Sequence, residues 1–233
     1  MTEQETTTGP VRATYRHGDL RRALLEAGIA LARDGGPDAV ILREATRRAG
    51  VVPNAAYRHF ANRQDLLDAV RSAALAELAV AIEREQTSMD VAALDDGAAR
   101  SRALLRAVGI GYLHFARRQP GLFRTAFAPS ENVRSAGGPE KAGASGLNPF
   151  ELLGAALDGM VDAGIIRAEQ RPGAQYLAWA AVHGLSVLVI DGPLRDLPDD
   201  QVDRLGQRLV AMVEQGLSPN GGPARVRSSS DVA

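Results

Sequence analysis

The sequence predicts an all-α fold of about nine helices, arranged as a three-helix unit followed by a larger helical bundle. Apolar residues recur at three- and four-residue spacing through most of the chain. Gly and Pro clusters fall between those runs, where helix stops and turns need them. No alternating pattern is long enough for a sheet, and no internal repeat is visible.

The elements follow in order. Residues 1–15, Thr- and Glu-rich at the start and then carrying Gly9-Pro10, read as a disordered arm. Leu20, Leu24, Ala27 and Leu31 place one apolar face on a first helix, which Asp34-Gly35-Gly36-Pro37 stops. A short helix over Leu42 to Ala49 is broken at Gly50, and Pro53 opens another that ends near Phe60. Asn62 caps a long helix from Arg63 to about Gln86, with Leu67, Val70, Ala74, Leu78 and Ile82 on one stripe. Further helices are predicted over Ala98 to Arg118, Leu122 to Ala128, Asn148 to Ala163, Pro172 to Ile190 and Asp199 to Leu217. The Gly-, Ser- and Pro-rich stretch 129–147 reads as a mobile loop, and 218–233 as a disordered tail.

Composition narrows the function. With no cysteine, disulfides, thiolate chemistry and Cys-built zinc sites are excluded. The polar N-terminus lacks the basic and apolar regions of a signal peptide, and no apolar run reaches a membrane span, so a cytoplasmic protein is expected. The net charge of −1 hides an asymmetry: residues 10–71 hold eleven arginines against seven acids, leaving the remainder acidic. Such a basic segment suits a polyanion partner. Asp95-Asp96 and Asp199-Asp200 fall at helix starts, where carboxylates cap and complement the dipole. No nucleophile, base or phosphate loop accompanies them, so no catalytic residue, metal or cofactor is assigned.

Two short helices meeting at Gly50 form a helix-turn-helix, with Val51 as the apolar residue beneath the second. Tyr15-Arg16-His17-Gly18-Asp19-Leu20-Arg21, Leu42-Arg43-Glu44-Ala45, Arg48-Ala49-Gly50-Val51, Ala56-Tyr57-Arg58-His59-Phe60 and Asp65-Leu66-Leu67 together resemble the TetR/AcrR family of transcription regulators. Trp179, His183, Gly184, Leu185 and Asp191-Gly192-Pro193-Leu194 resemble the Trp-His-Gly type of C-terminal domain found in part of that family. The resemblance implies a DNA-binding domain over 16–62 and a ligand-binding and dimerisation domain over 63–217. It implies a recognition helix from Pro53 to His59 that presents Asn54 and Arg58. Arg43 would contact phosphate or a base edge, and Tyr57, His59 and Arg63 phosphates. The implied regulator is a homodimeric repressor on a palindromic operator, released by a small hydrophobic effector.

Three residues depart from the family pattern. Val52 and Ile41 stand where hydroxyl caps usually open the third and second helices, and a lost cap costs ~1 kcal/mol of local stability. Thr46 replaces a small Ala at the crossing of those helices, where a branched polar side chain packs less well. They motivate a second reading, a helical small-molecule-binding or scaffold protein with a weakened helix-turn-helix.

In the second domain Tyr112, Phe115, Phe123, Phe127, Phe150, Tyr176, Trp179 and His183 fall on helices flanking the 129–147 loop and are the expected effector wall. Trp179 and His183 lie one turn apart; packing and hydrogen bonding inside a bundle explain them without a metal. The helix ending at Ile190 is apolar around its circumference. With the last helix, which carries Val202, Leu205, Leu209, Val210, Met212 and Val213, it is the expected homodimer interface.

Overall fold

The computed structural model describes residues 17–129 and 138–218. The arm expected over 1–15, most of the expected tail, and residues 130–137 of the expected loop lie outside them. The described residues form nine α-helices: α1 (His17–Ala39), α2 (Leu42–Arg48), α3 (Pro53–Ala56), α4 (Arg63–Ser88), α5 (Gly97–Arg118), α6 (Pro120–Ala126), α7 (Pro149–Asp162), α8 (Ala174–Ile190) and α9 (Asp199–Leu217).

Local chemistry sets most boundaries. Gly36 breaks α1 with φ of 71°, so the predicted stop appears as a kink with one more turn after Pro37. The Asn62 side chain accepts the Asp65 N–H and opens α4. Asp96 accepts from the Ala98 and Ala99 amides to open α5. Asn148 and Glu151 form a reciprocal capping box on α7.

One continuous core runs from Leu24 and Phe60 through Leu66, Val70, Leu78 and Ile82 to Tyr112 and Leu157. The stripe read on α4 is buried along its length, which is why α4 spans the three-helix head and the body behind it. Burying such a side chain contributes ~1.5–3 kcal/mol. Helix α5 is the hub, packed against α4, α6, α7, α8 and α9.

Two expectations change. Residues 138–147, read as part of a mobile loop, are tied to α4. Glu83 accepts from Ala144 N (2.8 Å), Ser145 N (2.9 Å) and Ser145 Oγ (2.6 Å). Burial opposes ionisation of Glu83, but these bonds from Ser145 and Ala144 outweigh it and hold the carboxyl below its ordinary value. The apolar residues of α8 and α9 also divide differently. Val182, Val189, Val202 and Val210 are buried within the chain, leaving Tyr176, Leu177, Val187, Leu188, Leu205 and Met212 exposed.

Candidate nucleic-acid interface and ligand cavity

The head is held by backbone chemistry at its turn. Gly50, at φ 67°, ends α2: its N–H reaches Arg47 O and the Val51 N–H reaches Thr46 O. This paired closure of the last carbonyls needs a left-handed residue between them. It sends the chain into α3, a single turn of four residues. Tyr57 to His59 continue as a turn, with the His59 and Phe60 amides both on Ala56 O. The recognition segment predicted to His59 is therefore helical only to Ala56.

Side chains on this surface sort cleanly. Phe60 is buried beneath the Arg21 guanidinium, 5.2 Å from its ring centre. Tyr57 is 57% exposed, Arg43, Asn54 and Arg58 are exposed, and His59 is half-buried. Arg63 bends back to donate to Val40 O (2.8 Å) and Pro37 O (2.7 Å), so its guanidinium also buttresses the end of α1. Ile41 opens α2 without a side-chain cap, and Val52 is 68% exposed. Thr46 is buried, but its hydroxyl donates to Arg43 O (2.6 Å), so the polar atom is satisfied within its own helix.

Behind the head lies a cavity of about 440 Å³, walled by α4, α5, α7, α8 and α9 and the end of α6. Of the predicted wall, Tyr112, Phe127, Phe150, Tyr176 and Trp179 line it. Phe115, Phe123 and His183 sit outside the wall. Phe115 is core, and Phe123 stacks on His183 (ring centres 5.4 Å apart) and meets Tyr112 edge-on (5.5 Å). The Tyr112 hydroxyl joins two of these groups: Trp179 Nε1 donates to it (3.1 Å), and it pairs with His183 Nδ1 (2.8 Å). Burial raises the Tyr112 pKa well above its ordinary value and lowers that of His183. A phenol that stays protonated beside a neutral imidazole donates to its Nδ1.

Helix α6 belongs to both regions. Ala126 and, just after it, Phe127 line the cavity, while Gly121 lies against the Ala32 and Arg33 carbonyls of α1. At its outer side Arg124 grips Asp191 at the end of α8, Nε lying 3.0 Å from each carboxylate oxygen. That bond pushes the Arg124 pKa up and the Asp191 pKa down.

Two family models match this chain, one over the helix-turn-helix head and one over most of the helical body. The bacterial regulatory proteins, tetR family, match residues 24–70, and the tetracyclin repressor-like C-terminal domain matches 105–213. The chain belongs to the TetR family. It is a DNA-binding transcription regulator of that family. A solved protein with unknown function from Rhodococcus sp. RHA1 is 26% identical, with a TM-score of 0.66, over 89% of this chain and 100% of that one. A TetR family transcriptional regulator, PfmR, from Thermus thermophilus is 18% identical, with a TM-score of 0.51, over 84% of this chain and 98% of its own; it shares the fold. No curated protein matches the chain.

In this TetR-family chain the sequence reading missed part of the cavity. Leu209, Val210 and Val213, assigned there to a dimer interface, line it from α9, and Lys141 and Asn148 line it from the 138–148 segment. Among the described residues no helix is long and apolar enough to cross a membrane.

Proposed function

We propose that this TetR-family regulator is a repressor that holds a palindromic operator as a homodimer and releases it when a small hydrophobic effector fills the cavity. Residues 16–62 are the DNA-binding head and 63–217 the sensing and dimerising body. Arg43, Asn54 and Arg58 read base edges; Tyr57, His59 and Arg63 hold phosphates; Val52 and Pro53 set the entry to α3. Phosphate contacts supply affinity and register, and base edges supply preference. Tyr112, Phe127, Phe150, Tyr176 and Trp179 contact the effector, and Phe115, Phe123 and His183 support that wall. The regulator acts in the cytoplasm and performs no catalytic step.

The observation that carries this reading is the double attachment of α6, which lines the cavity with Ala126 and abuts α1 at Gly121. An effector that favours one seating of α6 favours one placement of the heads; an effector indifferent to it shifts nothing.

The exposed apolar residues of α8 and α9 support the dimer. Leu177 and Met212 are each more than 60% exposed, and with Val187, Leu188 and Leu205 they face outward from two adjacent helices. Paired by a two-fold axis, the helices form a four-helix bundle. It sets the recognition segments about one turn of DNA apart, ~34–36 Å. Sedimentation of the purified chain at micromolar concentration tests it: a dimer is expected, converted to monomer by Leu177→Asp, whereas a wild-type monomer overturns the bundle and the palindrome with it.

A further inference from the structure

The aromatic side chains of the cavity wall touch one another in series and form one strip. Tyr112 of α5 lies 5.8 Å from Phe127, measured between ring centres, and Phe127 lies 6.1 Å from Trp179 of α8. Trp179 meets Phe150 of α7 edge-on at 5.9 Å, and Phe150 meets Tyr176 at 5.5 Å. All of them line the cavity. One end of the strip, Tyr112, is buried, and the other, Tyr176, is 63% exposed, so the strip leads from the interior toward solvent. Leu105, Leu153, Leu209 and Val213 add aliphatic surface elsewhere on the wall.

The polar groups of this wall are committed within the chain. Trp179 gives its only donor, Nε1–H, to the Tyr112 hydroxyl, and that hydroxyl gives its only proton to His183 Nδ1. Asn148 Oδ1 accepts the Phe150 and Glu151 amides (2.9 and 3.0 Å) as the cap of α7. Lys141 is likewise engaged by the chain's own groups. Among the described lining residues there is no Asp or Glu. A charged ligand entering such a wall gives up its water and gains no counter-group in return.

We infer that the ligand of this cavity is an uncharged molecule built on aromatic rings, seated along the strip from Tyr112 to Tyr176. This rests on the cavity being an effector site. Successive rings of the strip are tilted by 38°, 45°, 71° and 45°, so it presents both ring faces and ring edges. An aromatic ligand gains edge-to-face and offset contacts there, because ring faces are negative and ring edges positive. A saturated ring of the same skeleton gains apolar burial alone. The hydrogen bonds of Tyr112 and Trp179 fix those two rings before a ligand arrives, so little freedom is lost on binding.

Calorimetry of the full chain with four ligands of one bicyclic skeleton is the test: naphthylmethanol, its saturated counterpart decahydronaphthylmethanol, naphthoate and naphthylmethylammonium. Wild type is expected to bind naphthylmethanol about three- to tenfold tighter than the saturated alcohol, the size of an aromatic contact beyond its buried area. It should bind naphthylmethanol at least about tenfold tighter than either ion. Phe150→Leu and Tyr176→Leu leave the Tyr112, Trp179 and His183 bonds alone. Each should narrow the aromatic preference by about twofold and leave the saturated alcohol bound as in wild type. Equal binding of the two alcohols by wild type overturns the aromatic ligand, and tighter binding of either ion overturns the uncharged one; both results leave the effector site standing. Equal loss of both alcohols in the two variants shows rings that only fill space and overturns the inference too. Failure of both alcohols to bind overturns it as well, and the effector-site reading falls with it if octanol also fails to bind.

Discussion

Gly121 lies so close to the Ala32 carbonyl that a methyl group on it would collide with that oxygen. This contact joins α6, whose end lines the cavity, to α1 of the helix-turn-helix head. Gly121→Ala cannot be absorbed by a flexible side chain, because the obstacle is backbone. Overpacking of this kind costs ~1–3 kcal/mol. A lower unfolding temperature and a weakened DNA response are expected, read by thermal melting and duplex binding. Gly97→Ala, which meets nothing within 4 Å, is the control and should melt like wild type.

Tyr112 and His183 supply a second test. Tyr112→Phe removes the oxygen that takes the Trp179 N–H and pairs with His183. A destabilisation of ~1–3 kcal/mol is expected, since partners remain half-buried. A melting temperature equal to wild type would show that the trio is dispensable.

The same trio gives a pH dependence. Burial lowers the His183 pKa below its ordinary value. Below about pH 6.5 the unfolded chain therefore binds a proton that the folded chain resists, and stability is lost as pH falls. Wild type should lose more stability between about pH 7.5 and about pH 5.5 than His183→Gln, which cannot charge. Parallel losses in the two proteins would exclude His183 as the source.

Arg63 does two jobs on this account. Removing its bonds to the Pro37 and Val40 carbonyls should loosen the end of α1. If it also holds a phosphate, Arg63→Ala lowers the slope of log affinity against log salt by about one unit. A variant that melts earlier but keeps the wild-type salt slope would leave Arg63 purely structural.

Much of the fold was legible because it is written locally. The Asn62 cap, the Gly50 turn and the buried stripe of α4 each rest on residues within a few positions of one another. What was not legible depends on distant partners. The Gly-, Ser- and Pro-rich stretch 129–147 reads as a mobile loop; nothing nearby says that Glu83 ties its second half to α4. The backward reach of Arg63 depends on carbonyls of another turn. On α8 and α9 the apolar pattern says that residues are buried but not by what. Leu209 and Val213 face a cavity in their own chain, while Leu177 and Met212 face outward. The recognition segment was read three residues too long, since helix ends fray into turns.

As a homodimer, the proposed repressor reads one symmetric site with two heads. Selection of bound duplexes from a random DNA pool by the 233-residue chain tests this. Enrichment of inverted repeats whose half-sites lie about one helical turn apart, ~34–36 Å centre to centre, is expected. Altered half-site preference is expected when Arg43, Asn54 or Arg58 is replaced by Ala. Failure to enrich any duplex, or enrichment of single unpaired sites, would contradict it.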